Sequence, residues 1–189
     1  MSKYVITNGK IYTETHLIEQ GYLIVEDGKI SEIQESQYTG ELEQIDAKGQ
    51  NILPGFIDIH IHGGYGEDAM DASFEGLKHL SEQLLSEGTT TFLATTMTQS
   101  DANIEKALKN IVDYQAQQQR GEAAEIGGIH LEGPFISEHK VGAQNPEFVQ
   151  RPSVDKIQHF QEIAQNQIKI ITFAPEVDGC LLYTSPSPR

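Results

Sequence analysis

From Phe56 onward, segments with a two-residue apolar rhythm alternate with segments of helical rhythm, a pattern that few architectures accommodate. Phe56-Ile57-Asp58-Ile59-His60-Ile61-His62 reads as a strand. A helix follows with Phe74, Leu77, Leu80, Leu84 and Leu85 on one face, Asp71 or Ser73 as N-cap, and Gly88 just past its end. Thr89 to Thr95 forms a second strand, and Ser100 caps a helix carrying Ile104, Leu108, Ile111 and Val112. Ile126 to Glu132 is the third strand. Ser153 opens a helix with Ile157, Phe160, Ile163 and Ala164 facing inward, and Ile168 to Ala174 is the fourth strand. Strands repeating at roughly 30–40 residues with helices between them imply parallel βα units joined by right-handed crossovers. A (β/α)8 barrel uses ~30 residues per unit over ~250 residues, so residues 55–178, with four strands and three helices, are expected to form the first half of a TIM-type barrel. An open doubly wound sheet is the alternative, but it usually carries G-x-G-x-x-G after its first strand, and His62-Gly63-Gly64-Tyr65-Gly66 lacks that spacing.

Residues 1–54 have a different character. Tyr4-Val5-Ile6, Lys10-Ile11-Tyr12 and Tyr22-Leu23-Ile24-Val25 are short strands, and Asp27-Gly28 before Ile30-Ser31-Glu32-Ile33 signals a hairpin. Ile45-Asp46-Ala47 and Asn51-Ile52-Leu53 complete the set, with a polar loop from Glu35 to Gln44 and a boundary at Pro54-Gly55. A small β-sandwich module is expected here, giving an α/β chain overall. Residues 179–189 have no period and end on a Ser-Pro repeat; they are expected to be a non-native tail and contribute nothing to the fold.

Charge and cysteine content exclude several classes of function. The 189 residues contain 13 Lys+Arg against 28 Asp+Glu, a formal net charge of −15, which opposes binding to nucleic acid or an anionic membrane. A small anionic substrate needs only a local pocket of donors and is not excluded. The single cysteine, Cys180, cannot form an internal disulfide and falls in the tail. Met1-Ser2-Lys3-Tyr4 lacks the apolar run of a signal peptide, and no segment approaches the ~20 apolar residues of a membrane span, so a cytoplasmic protein is expected.

Strand alternation then locates the chemistry. Ile57, Ile59 and Ile61 share one face of the first barrel strand, expected to pack on helices; Asp58, His60 and His62 share the face that points into the barrel. Imidazoles two residues apart on a strand lie roughly 7 Å apart at Cα and can converge on one cation. On the third strand Ile129 and Leu131 alternate with His130 and Glu132, which puts Glu132 at the strand's C-terminal end, where TIM-type barrels keep their active sites. His60, His62 and Glu132 are therefore the candidate metal ligands. Asp58 lies deeper, in a supporting position, and His130 reads as a satisfied core histidine. His16, His79, His139 and His159 occupy surface contexts, Gln115 to Gln119 is the solvated end of a helix, and Gly127-Gly128 permits close packing.

Three segments carry a resemblance. They are Leu53-Pro54-Gly55-Phe56-Ile57-Asp58-Ile59-His60-Ile61-His62-Gly63, Gly88-Thr89-Thr90-Thr91-Phe92, and His130-Leu131-Glu132-Gly133-Pro134-Phe135 followed by Lys140-Val141-Gly142-Ala143-Gln144-Asn145-Pro146. The first resembles the amidohydrolase superfamily in general; the third resembles, more particularly, its N-acetylglucosamine-6-phosphate deacetylase family. The resemblance runs from the N-terminal strands through Glu176. It implies a divalent ion of the Zn or Fe class, with Glu132 as the ligand common to the family and His60 and His62 as a pair that binds a second metal in some members. It also implies that the backbone of Ala143 contacts the substrate, an amino-sugar phosphate, while Gln144 stands where the family often has His. The implied reaction is deacetylation to glucosamine 6-phosphate and acetate by a homodimer. The family's catalytic Asp and its further His ligands come from later strands, so the chain is expected to be an inactive N-terminal fragment with no catalytic residue of its own. A dihydroorotase-like or aminoacylase-like amidohydrolase is the alternative enzyme, the former often using a carboxylated lysine on the fourth strand, where Lys169 lies. A non-catalytic metal- or sugar-binding remnant is the alternative from another class.

Overall fold

The computed structural model describes residues 2–119 and 121–177; the expected tail, with Cys180, lies outside the described residues. The chain divides into two compact units, Met1–Pro54 and Gly55–Arg189.

The first unit is all β. Strands β1 (Lys3–Thr7), β4 (Tyr22–Glu26), β5 (Lys29–Gln34) and β6 (Glu43–Asp46) form one sheet in the order β5-β4-β1-β6, and β2 (Lys10–Tyr12), β3 (Leu17–Ile18) and β7 (Asn51–Ile52) form another in the order β3-β2-β7. Ile11 and Ile18 from the smaller sheet and Leu23 and Val25 from the larger one bury against each other, which makes the pair a small sandwich. The Asp27-Gly28 hairpin forms as the sequence predicts, with φ of 52° and 74° at the two turn residues and β4 antiparallel to β5.

The second unit carries β8 (Phe56–Ile61), β9 (Gly63–Gly64), β10 (Glu67–Asp68), α1 (Phe74–Ser86), β11 (Thr89–Thr95), α2 (Asp101–Gln115), β12 (Glu125–Glu132), α3 (Val154–Ile163) and β13 (Ile168–Thr172). Strands β8, β11, β12 and β13 pair in parallel, each beside its predecessor, as in part of a TIM barrel. Serines begin all three helices: Ser73, Ser100 and Ser153 accept from the backbone N–H of Gly76, Asn103 and Lys156 at 3.0, 3.4 and 3.2 Å, satisfying donors the helix itself leaves open. Leu77, Leu80 and Leu84 of α1, Ile104, Leu108 and Ile111 of α2, and Phe160 of α3 pack on Phe92, Ala94, Ile126, Ile129 and Leu131 of the sheet.

Ile126 and Ile129 are three residues apart yet both join this helix-facing core, which a regular strand cannot arrange. The ladder between β11 and β12 shows the cause: Phe92 pairs with Ile126 but Leu93 pairs with Gly128, so Gly127 is an extra residue on β12. That bulge changes the phase of the strand and leaves His130 and Glu132 on the face opposite the helices.

Two expectations need correction. Ile57 and Ile59 do not pack on helices; they are 68% and 55% exposed, because β8 is an edge strand and α1, which follows it, covers β11 and the inner part of the sheet. The glutamines at the end of α2 are not simply solvated. Gln115 donates to Ile126 O at 2.8 Å, and Gln118 donates to Ala124 O at 2.6 Å while accepting from Ile126 N at 3.0 Å, so both satisfy backbone at the start of β12.

Candidate metal centre

His60 and His62 stand at the C-terminal end of β8, and Glu132 ends β12 two strands away. One donor atom from each lies within 4.8 Å of the others, so the three residues could hold a metal ion. His62 Nε2 is 3.0 Å from Glu132 Oε2, and His60 Nε2 is 3.6 Å from the same oxygen. The shorter approach has the distance of an ion pair without the alignment of a hydrogen bond: Glu132 Oε2 is buried and has no hydrogen-bond partner. A desolvated carboxylate oxygen without a donor is costly unless a cation faces it.

The tautomer of His62 points the same way. Its Nδ1 lies 3.2 Å from the backbone oxygen of Thr95, which can only accept, so Nδ1 carries a hydrogen and, in the neutral ring that can ligate a metal, Nε2 presents its lone pair toward Glu132. Lone pairs of a nitrogen and a carboxylate oxygen that converge in this way form a binding site for a positive charge. A backbone carbonyl orienting the remote nitrogen of a histidine is the usual support of a metal-ligating imidazole. The residues present fit a divalent cation.

The neighbouring residues are structural. Asp58 Oδ1 accepts from His60 N at 2.9 Å, a local turn-like contact rather than a fourth donor. His130, buried, is satisfied on both nitrogens: Nδ1 is 2.9 Å from Ile59 O and Nε2 is 2.7 Å from Thr172 Oγ1. Ala143 is exposed in the loop after β12, and the next residue anchors that loop, with the buried Gln144 side chain accepting from Thr98 N at 2.6 Å just beyond the end of β11. Lys169 sits near the start of β13 and donates to Asn166 O at 3.1 Å, at the opposite end of the strand from this cluster. Among the residues this site uses, Thr95 has no sequence signature, because its contribution is made partly through a backbone oxygen.

The sequence profile described as the amidohydrolase family matches residues 51–175. The chain belongs to the amidohydrolase family. This amidohydrolase is 46% identical over 171 residues to the N-acetylglucosamine-6-phosphate deacetylase of Bacillus subtilis (strain 168), covering 89% of this chain and 43% of the relative. It is 38% identical over 172 residues to the deacetylase of the same name from Lysinibacillus sphaericus, covering 91% and 44%. Among solved structures it superimposes with a TM-score of 0.84 on N-acetylglucosamine-6-phosphate deacetylase from Pasteurella multocida, at 30% identity, covering 96% of this chain and 47% of that one. The amidohydrolase chain thus spans about half the length of the curated relatives it matches.

Proposed function

We propose that the protein carrying this chain removes the acetyl group from N-acetylglucosamine 6-phosphate, giving glucosamine 6-phosphate and acetate, and that His60, His62 and Glu132 hold a divalent ion of the Zn or Fe class for that reaction. The observation that carries this reading is the buried Glu132 Oε2, which has no hydrogen-bond partner and faces two imidazole nitrogens. Imidazole nitrogens with a carboxylate oxygen suit such an ion. When bound there, it would lower the pKa of a water molecule toward ~7 and polarise the amide carbonyl. Glu132 supplies the fixed negative charge that retains it, and Thr95 O keeps His62 in the tautomer that ligates. The exposed backbone at Ala143 is assigned to the sugar, on a loop steadied by Gln144. The acid–base carboxylate that must pass a proton to the leaving amine is assigned to a residue outside this chain.

Similarity to relatives with the deacetylase name supports the substrate. The dihydroorotase-type reading loses ground on Lys169, whose ammonium group is engaged at the wrong end of β13 for a bridging ligand. Release of acetate from N-acetylglucosamine 6-phosphate, measured against unphosphorylated N-acetylglucosamine, tests the proposal. Glu132→Gln should abolish both turnover and metal content measured by atomic emission. Wild-type turnover in that variant removes Glu132 from the site, and absence of acetate release from the metal-loaded parent protein removes the reaction.

A further inference from the structure

The ladder between β8 and β11 is interrupted where the histidines begin. Phe92 pairs with Asp58 and Ala94 pairs with Ile61, so three steps on β8 oppose two on β11, and β8 carries an extra residue at Ile59-His60. A bulge leaves backbone groups outside the ladder, and those groups need partners when they are shielded from water. Two are taken by side chains from neighbouring strands. Ile59 C=O, on β8, accepts from His130 Nδ1 at 2.9 Å, a contact that reaches across from β12. Ile61 N–H donates to Thr95 Oγ1 at 3.0 Å.

Both side chains are themselves fixed. Thr172 Oγ1 lies 2.7 Å from His130 Nε2 and, with the neutral ring's hydrogen on the Nδ1 that meets the carbonyl, is the donor there. Thr95 Oγ1 donates to Leu93 O at 3.1 Å and has no exposure to solvent. The rings meet as well: the His130 centroid is 4.7 Å from that of His60, edge to face, and His60 is 5.1 Å from His62. His130 and Thr95 therefore grip the bulge from either side of its extra residue, and Thr95 also holds His62 through its backbone oxygen.

We propose that His130 and Thr95 are positioning residues, which clamp the bulged end of β8 and so set the direction in which His60 and His62 present their nitrogens to the ion. The proposal rests on the metal reading of His60, His62 and Glu132. A strand bulge unsupported at Ile59 and Ile61 would relax toward the regular ladder, and the two imidazoles would lose their shared focus on Glu132.

The test is metal affinity and geometry in the protein carrying this chain, with Co²⁺ as the probe. Dissociation constants come from competition with a chromophoric chelator, and ligand geometry from the cobalt d–d spectrum. Thr95→Val and His130→Leu should each weaken Co²⁺ binding about 10- to 100-fold and alter the spectrum, the scale found when the partners that orient metal ligands are lost. Thr95→Ser, which keeps the hydroxyl, and His130→Asn, whose amide can still donate to Ile59 O, should recover most of the affinity. Ile104→Ala, a buried change in α2 away from β8, should lower the urea midpoint and leave both readouts as in the parent. Unchanged affinity and spectrum in Thr95→Val and His130→Leu overturn the clamp, as does an equal loss in Ile104→Ala. If His62→Ala and Glu132→Gln bind Co²⁺ as tightly as the parent, the metal reading itself fails, a result distinct from failure of the clamp alone.

Discussion

Gly128 shows how little room separates the strands beneath the proposed metal centre. A Cβ there would lie 2.5 Å from Lys169 Cγ and 2.9 Å from Gln167 O, at a φ of 155°. The lysine side chain can move aside, but the carbonyl belongs to the turn leading into β13 and cannot. At Gly127 a Cβ would meet Thr91 Cγ2 at 2.9 Å. The two glycines make the β12 bulge narrow enough to fit between its neighbours, and the bulge is what turns Glu132 away from the helices. Gly128→Ala is expected to cost about 1–3 kcal/mol, the usual penalty for forcing a close-packed interior apart. Urea unfolding monitored by circular dichroism measures it. The same variant should bind the metal probe more weakly than its lost stability alone would require, because the strand that aims Glu132 has been displaced.

At the scale of elements, alternation, helical periodicity and the serine caps were enough to place the helices and the parallel strands, since each of these signals is local. The proposed metal ligands were legible for the same reason: His60, His62 and Glu132 alternate with apolar residues that are plain in the sequence, and the fold brings their donor atoms within 4.8 Å of one another. The bulges were not, because a two-residue rhythm has no mark for a single inserted residue, and the insertions at Gly127 on β12 and at Ile59-His60 on β8 are hidden among residues compatible with a regular strand. Strands β3, β9 and β10, with two residues each, are too short to show any rhythm. A further tertiary feature links the starts of α2 and α3. Gln150 donates to Asp101 Oδ1 at 2.8 Å, and Lys156 reaches Asp101 Oδ2 at 2.6 Å. The Gln150 amide first, and then the Lys156 ammonium, hold the Asp101 carboxyl below its ordinary value of 3.8. An Asp depressed in this way binds fewer protons folded than unfolded, so its contribution is complete above about pH 4 and disappears as the pH falls through the lower folded value. The network is partly exposed, and its contribution should stay below about 1 kcal/mol. Gln150→Leu should raise the Asp101 midpoint, read by carboxyl-carbon NMR, and flatten the acid limb of the stability profile.

For the whole molecule, the outer face of β8 governs how this 189-residue chain behaves by itself. Ile57 and Ile59 are exposed on one face of an edge strand that begins with the equally exposed Phe56, a combination that promotes association between copies. Ile57→Lys combined with Ile59→Lys should shift the chain toward monomer in sedimentation velocity, with the far-UV spectrum unchanged; persistence of the same oligomers would point to another surface. The strand order has a different consequence, for timing. Since β8, β11, β12 and β13 each dock beside the strand synthesised just before, the sheet can grow in the direction of translation, without waiting for a distant partner. The three proposed ligands are all present once residue 132 has left the ribosome and β12 has docked. Metal capture at that moment would add its binding energy to the association of the first three parallel strands, so the ion would act on the nascent chain as a rivet well before any substrate arrives.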